Sequence, residues 1–281
     1  MPEEKSGEAA IASPLPAQRK PNLLDAFKPN KAISHSTFLI IIIFWVIGAL
    51  FVWSTSSIKA IPRPGEVFSA LGNLWNNLGL GQELIKSISL NVQALCYSAA
   101  ISLLLAYITV IPFFRPLIVA ISKGRFLSMV GFSFVFTLMI GGGAPLKLGM
   151  LVFGMTVFFL TSMAAVVAEI PKADFDHART LRMPEWKVVW EVVMRGTFDQ
   201  AFEVMRQNAA IGWMMLTMVE GIVRSDGGVG ALLLNEQKHM QMDSVFAIQI
   251  VILLVGLSQD YLIGVMRRIF CPYSVLTLER K

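Results

Sequence analysis

The feature that most limits what this chain can fold into is a set of long intervals free of Asp, Glu, Lys and Arg. Ala32 to Ile58, with FLIIIIFWVIGALFVW at its heart, and Ser87 to Phe114 are two of them. A helix needs about 20 apolar residues to cross the ~30 Å hydrocarbon core of a bilayer, and within that core only helices and closed barrels satisfy their own backbone groups. Four more intervals run from Phe126 to Leu146, Leu148 to Ala168, about Val204 to Gly221, and Ser244 to about Val265. These runs predict an all-α polytopic membrane protein with about six transmembrane helices. The third interval ends on Gly141-Gly142-Gly143-Ala144-Pro145, the fifth carries Arg206 and Glu220 near its ends, and the sixth contains Asp260.

Composition agrees with a membrane setting. Of 281 residues, 55% are hydrophobic and 15% charged, where soluble domains average about 25% charged. A disordered chain, a collagen-like fibre and a small disulfide scaffold are excluded. The two cysteines, Cys96 and Cys271, lie far apart with no metal-type spacing, and no disulfide is expected. Lys and Arg number 24 against 19 acids. With the N-terminus cytoplasmic, most of these cations fall in the inside segments, as the positive-inside rule requires. The basic charge is then topological, and nucleic acid is not an expected partner. Six spans put both termini on one side. Residues 1–31 are expected as a mobile cytoplasmic tail, 32–275 as the membrane domain and 276–281 as a short cytoplasmic tail. After the first span, Ile61-Pro62-Arg63-Pro64 is a stop, and Val67, Phe68, Leu71, Leu74, Trp75 and Leu78 follow at helical spacing. They predict a helix along the outer interface.

The stretch from Glu169 to Glu203 is long for a loop in a helical membrane domain. It mixes Lys172, Arg179, Arg182, Lys187 and Arg195 with seven acids, which suits a folded element docked on a protein better than a polybasic lipid patch. Pro171 opens one helix, Met183-Pro184 interrupts it, and a second places Trp186, Val189, Trp190 and Val193 on one face. The two tryptophans are expected to pack against the cytoplasmic ends of the spans.

The stretch DFDHARTLRMPEWKVVWEVVMRG resembles the cytoplasmic Glu-Ala-Ala…Gly loop of the inner-membrane permeases of ABC importers. Asp176-His177-Ala178 stands at the Glu-Ala-Ala place and Arg182 where the family has glycine. Ile61-Pro62-Arg63-Pro64, Glu220, the Gly227-Gly228-Val229-Gly230 turn and the last span are similar to the nitrate/sulfonate/taurine/bicarbonate branch, over about residues 37 to 275. The resemblance implies a bacterial inner-membrane subunit without catalytic activity of its own. It implies a homodimer in lipid, working with an extracytoplasmic solute-binding protein and a separate ABC ATP-binding subunit. No G-x-x-x-x-G-K-[ST] loop is present, so no cofactor is expected in this chain and ATP belongs to the partner. Asp176, His177, Ala178, Arg179, Leu181, Arg182 and Pro184 would meet that partner. Ala178 and Leu181, three apart, would share a narrow face, with Asp176 and Arg179 orienting it by charge. Glycine at 182 would allow a positive φ, which Arg does not adopt cheaply, so the helix is expected to end one or two residues later than in relatives.

Polar residues inside spans mark either a pathway or an interhelical hydrogen bond. Asn91, Gln93, Gln207, Asn208 and Glu220 are the pathway candidates by position, and Glu220 could instead pair with Arg224 at i,i+4. Asp260 is expected to be structural. The Gly141-Gly142-Gly143 run is a gate or a loop outside the bilayer. His35, His177 and His239 lack ligand spacing, so no metal site is expected. The competing reading is a membrane enzyme or assembly factor that recruits a cytoplasmic partner through the 169–203 hairpin.

Overall fold

The computed structural model describes residues 35–55 and 61–272. The expected tails, residues 1–31 and 276–281, lie outside the described residues. The chain divides into two compact units, Met1–Ile61 and Pro62–Lys281. In the first, α1 (His35–Thr55) is apolar on every side, the pattern of a helix that meets lipid rather than a protein core on one face.

All regular structure among the described residues is helical. In the second unit, α2 (Pro64–Asn76) starts on its proline, with the Arg63 N–H donating to Glu66 at 2.8 Å. It buries Val67, Ala70 and Leu74 and leaves Phe68 and Trp75 outside. Then come α3 (Leu80–Ile108), α4 (Arg115–Ser122), α5 (Met129–Ile140), α6 (Ala144–Ala168), α7 (Lys172–Thr180) and α8 (Glu185–Val188). The α8 helix runs on as a π-helical segment, Val189–Arg195. Last are α9 (Phe198–Ile222), α10 (Val229–Lys238) and α11 (Met242–Phe270).

Among the described residues four helices, α1, α3, α6 and α11, are long and apolar enough to cross a membrane. The described residues hold a fifth crossing if the bent pair Pro112–Phe126 with Met129–Ile140, turned by 113°, is one span. The single third span expected over Phe126 to Leu146 is therefore corrected. α5 has 12 residues, about 18 Å of helix, and Gly141 and Gly143, both at positive φ, end it before Pro145 opens α6. α9, with 25 residues, is about 37 Å long but more polar than the four.

Other boundaries also move. Lys147 lies inside α6, Glu83 and Lys86 inside α3, and Arg267 and Arg268 in the last turn of α11. Lys147, Glu83, Lys86 and Arg267 each have a partner that lets the helix continue through them.

The core forms where α3, α6 and α9 pack. Small residues on α3 (Ala94, Ser98, Ser102) are buried, and such residues let membrane helices approach closely. Gly212 on α9 does the same, since a Cβ there would come within 2.8 Å of Asn91 Oδ1 and Met155 Cε. Met150, Met155 and Met163 of α6 are fully buried, in keeping with methionine as a filler of irregular gaps.

Candidate functional site

Between α6 and α9 the chain leaves the bundle and forms α7, the π-helical α8 extension and the turn between them. Pro171 caps α7 with its extended backbone, and Pro184 does so for α8. The turn itself is a Schellman motif. Met183 N–H donates to Ala178 O at 3.4 Å and Arg182 N–H to Arg179 O at 2.8 Å, with Arg182 at φ 53. The expectation of a later helix end is corrected: α7 stops at Thr180 and Arg182 takes the left-handed conformation that glycine adopts freely.

Arg179 staples this turn. It lies 3.6 Å from Asp176 on its own helix and donates to Glu185 across the turn at 3.1 Å. Glu185 first, then Asp176, push the guanidinium above its ordinary pKa, so its charge is constant at any working pH.

Ala178 and Leu181 line one cleft, but only Leu181 is exposed. Ala178 is 5% exposed and faces the 185–195 helix across a small cleft lined also by Glu191, Val192 and Gly196. Leu181 is 58% exposed. Asp176, His177, Arg182 and Pro184 are also exposed. Ala178 thus lets the two helices close up, while Leu181 is the apolar side chain offered outward. Trp186 and Trp190 are 74% and 54% exposed, not packed on the spans as expected, because Val188 and Val193 take the inward face.

At the other end of α9 a polar network ties three helices together. Glu220, 1% exposed, accepts from Ser87 Oγ at 2.7 Å and from Gly230 N–H at 2.8 Å. Val229 N–H donates to Ser87 Oγ at 2.9 Å, and Gly228 N–H donates to Glu83. The free N–H groups that begin α10 are therefore met by side chains from α3 and α9, and carboxylates are favoured there by the helix dipole. Lys147 Nζ, on a residue 3% exposed, donates to Gly227 O at 2.7 Å. Gly228 sits at φ 107, where a Cβ would run into the Glu220 carboxylate. The Glu220–Arg224 pair is corrected, since Arg224 donates to Gly221 O instead. Ser87, Glu83 and Lys147 were not singled out in the sequence, and neither was α10.

The remaining pathway candidates separate. Asn91 is buried and donates to Gln259 Oε1 at 3.0 Å, which also accepts from Trp213 Nε1 at 2.7 Å. Asn208 is buried and donates to Met155 O at 3.3 Å. Gln93 and Gln207 are exposed, Gln93 donating to Ser89 at 3.1 Å. Gln259, missed in the sequence beside the charged Asp260, is the residue that joins α3, α9 and α11. Asp260 pairs with Arg206 at 3.4 Å, part of a chain in which Glu203 holds Arg206 at 2.7 Å and Arg267 at 2.9 Å. Among the described residues no cluster of His, Cys, Asp or Glu could hold a metal ion.

Residues 92–268 match the family of binding-protein-dependent transport system inner membrane components, over more than half of the chain. The chain belongs to this family. No curated protein matches it. Membership makes it a transmembrane permease component of an ABC-type import system, a class that works with an ATP-binding subunit and a solute-binding protein. The matched residues of this permease begin inside α3 and end inside α11, so they take in α7, the Schellman turn and α10.

Proposed function

We propose that the chain forms half of a homodimeric translocation pathway and that α7 with the Arg179–Pro184 turn is the lever through which a separate ATPase moves it. The observation that carries this reading is the exposed Leu181 at the C-terminal cap of a short helix that the Schellman turn closes, with the exposed Arg179 pairs to Asp176 and Glu185 beside it. A lever transmits force only if it is stiff. Three residues, 169–171, join α7 to α6, and the turn, α8 and the π-helical segment join it to α9, so a push on α7 reaches both. Asp176, His177, Leu181, Arg182 and Pro184 supply the contact surface, and Ala178 positions it from behind.

In this reading both termini and the 169–203 segment are cytoplasmic, and the Glu220–Ser87 network stands at the outer end of the bundle. The solute is a small oxyanion or sulfonate, supported by Ile61-Pro62-Arg63-Pro64, Glu220 and the Gly227–Gly230 turn, which are similar to that branch. Asn91 and Asn208 are tied into helix packing by their amides, which leaves Gln93 and Gln207, exposed on one protomer, as the candidates to face the pathway or the second copy. Purification in mild detergent tests the reading: an ATP-binding subunit is expected to be retained, and its absence from an assembly that still takes up solute would refute it.

A further inference from the structure

We propose that the cleft between the C-terminal ends of α3 and α6, α4 and the start of α7 binds an anionic phospholipid. The cleft has a volume of about 490 Å³. Its walls are apolar, with Val110, Val119, Val167 and Phe175 among them, and two cations, Arg115 and Lys172, line it with no acidic residue.

Neither cation has an acidic partner among the described residues. Arg115 donates Nε to Thr109 O at 3.1 Å, its terminal nitrogens have no partner among the described residues, and Lys172 has no ion pair there. Lys172 is the first residue of α7, where the backbone dipole already carries positive charge and disfavours a cation, and Arg115 begins α4 directly after the 3-10 turn Pro112–Phe114. The two charges therefore raise the local potential together instead of relieving it.

The position of the cleft selects the class of anion. It lies where α3 and α6, both long enough to span, come to an end, which is headgroup level for a chain embedded in lipid. A free inorganic anion would be served by the cations alone and would gain nothing from the apolar walls. A phosphodiester with an acyl chain uses both, the phosphate between Arg115 and Lys172 and the chain along Val110 and Val167. The occupied cleft would brace the root of α7 against the bundle, whichever protein α7 meets.

The test is native mass spectrometry of the complex purified in mild detergent, titrated with palmitoyl-oleoyl phosphatidylglycerol, with phosphatidylcholine, and with sodium phosphate as competitor. Phosphatidylglycerol is expected to bind in preference to phosphatidylcholine and to resist phosphate. The Arg115→Gln/Lys172→Gln variant is expected to weaken it about thirty-fold. Ala164→Leu, which fills the cleft and keeps both cations, should also weaken it, while Arg125→Gln, outside the cleft, should stay within about twofold. Equal binding of phosphatidylcholine, displacement by millimolar phosphate, or an equal loss in Arg125→Gln would overturn the proposal.

Discussion

Ser87 and Glu220, separated by 133 residues in sequence, meet through a 2.7 Å hydrogen bond between the hydroxyl and the carboxylate. Around that bond the first N–H groups of α10 find their acceptors, so α3, α9 and α10 are joined at one point. Glu220→Ala leaves Gly230 N–H and the Ser87 hydroxyl unpaired in a buried place and should cost about 3 kcal/mol. Ser87→Ala should cost about 1–2 kcal/mol. The double variant should lose less than the sum, because both remove the same network. Thermal unfolding in detergent measures all three, and strict additivity would show that the two groups act separately.

Arg182 stands at φ 53, where a side chain with a Cβ is strained by roughly 1–2 kcal/mol. Arg182→Gly relieves that strain and gives back part of it as unfolded-chain entropy, so a net gain of about 1 kcal/mol is expected. Arg182→Val should lose stability, since a branched Cβ fits that conformation worst. Hydrogen exchange at Leu181 to Met183 reports the turn directly, and slower exchange in the glycine variant is the predicted result.

The apolar runs made the spans legible, because a helix in lipid must be apolar over its length. Its ends were not legible from charge alone, since Lys147 continues α6 by donating to Gly227 O and Arg267 closes α11 on Glu203. The 12 residues of α5 are too few to span alone, and they count toward a crossing only together with the bent Pro112–Phe126 segment before them, which the apolar run over Phe126 to Leu146 does not show. Pro171 and Pro184 placed α7 and α8 correctly because proline acts locally. Ala178 and the tryptophans were misplaced for the opposite reason. Which face of an amphipathic hairpin turns inward depends on what it packs against, and Val188 and Val193 won that face. Glu220 had a plausible local partner in Arg224 and a better distant one in Ser87, which spacing rules cannot reveal.

Glu203 bridges two arginines at 2.7 and 2.9 Å, whereas Asp260 has one longer contact to Arg206 at 3.4 Å. Glu203→Gln is therefore predicted to destabilise by about 2 kcal/mol and Asp260→Asn by under about 1 kcal/mol, both groups being partly screened by solvent. Equal losses in thermal unfolding would assign the clamp to Asp260 as much as to Glu203.

Leu181→Asp places a charge where the account needs an apolar contact, and Asp176→Lys sets a cation beside Arg179. Both side chains are exposed, so stability should change by less than about 0.5 kcal/mol, while solute uptake per ATP hydrolysed falls at least about tenfold. Ala178→Leu should fail differently, by prising α7 from the 185–195 helix and lowering the unfolding temperature. Unchanged uptake in the first two variants would remove the lever from 176–184.

The most direct measurement is a photo-crosslinking amino acid at position 181, activated in native membranes, with the same group at exposed Phe68 of α2 as control. The account predicts a covalent adduct from position 181 to an ATP-binding subunit, dependent on nucleotide state, and none from position 68. Adducts from position 181 only to lipid, or to proteins without a nucleotide site, would contradict it.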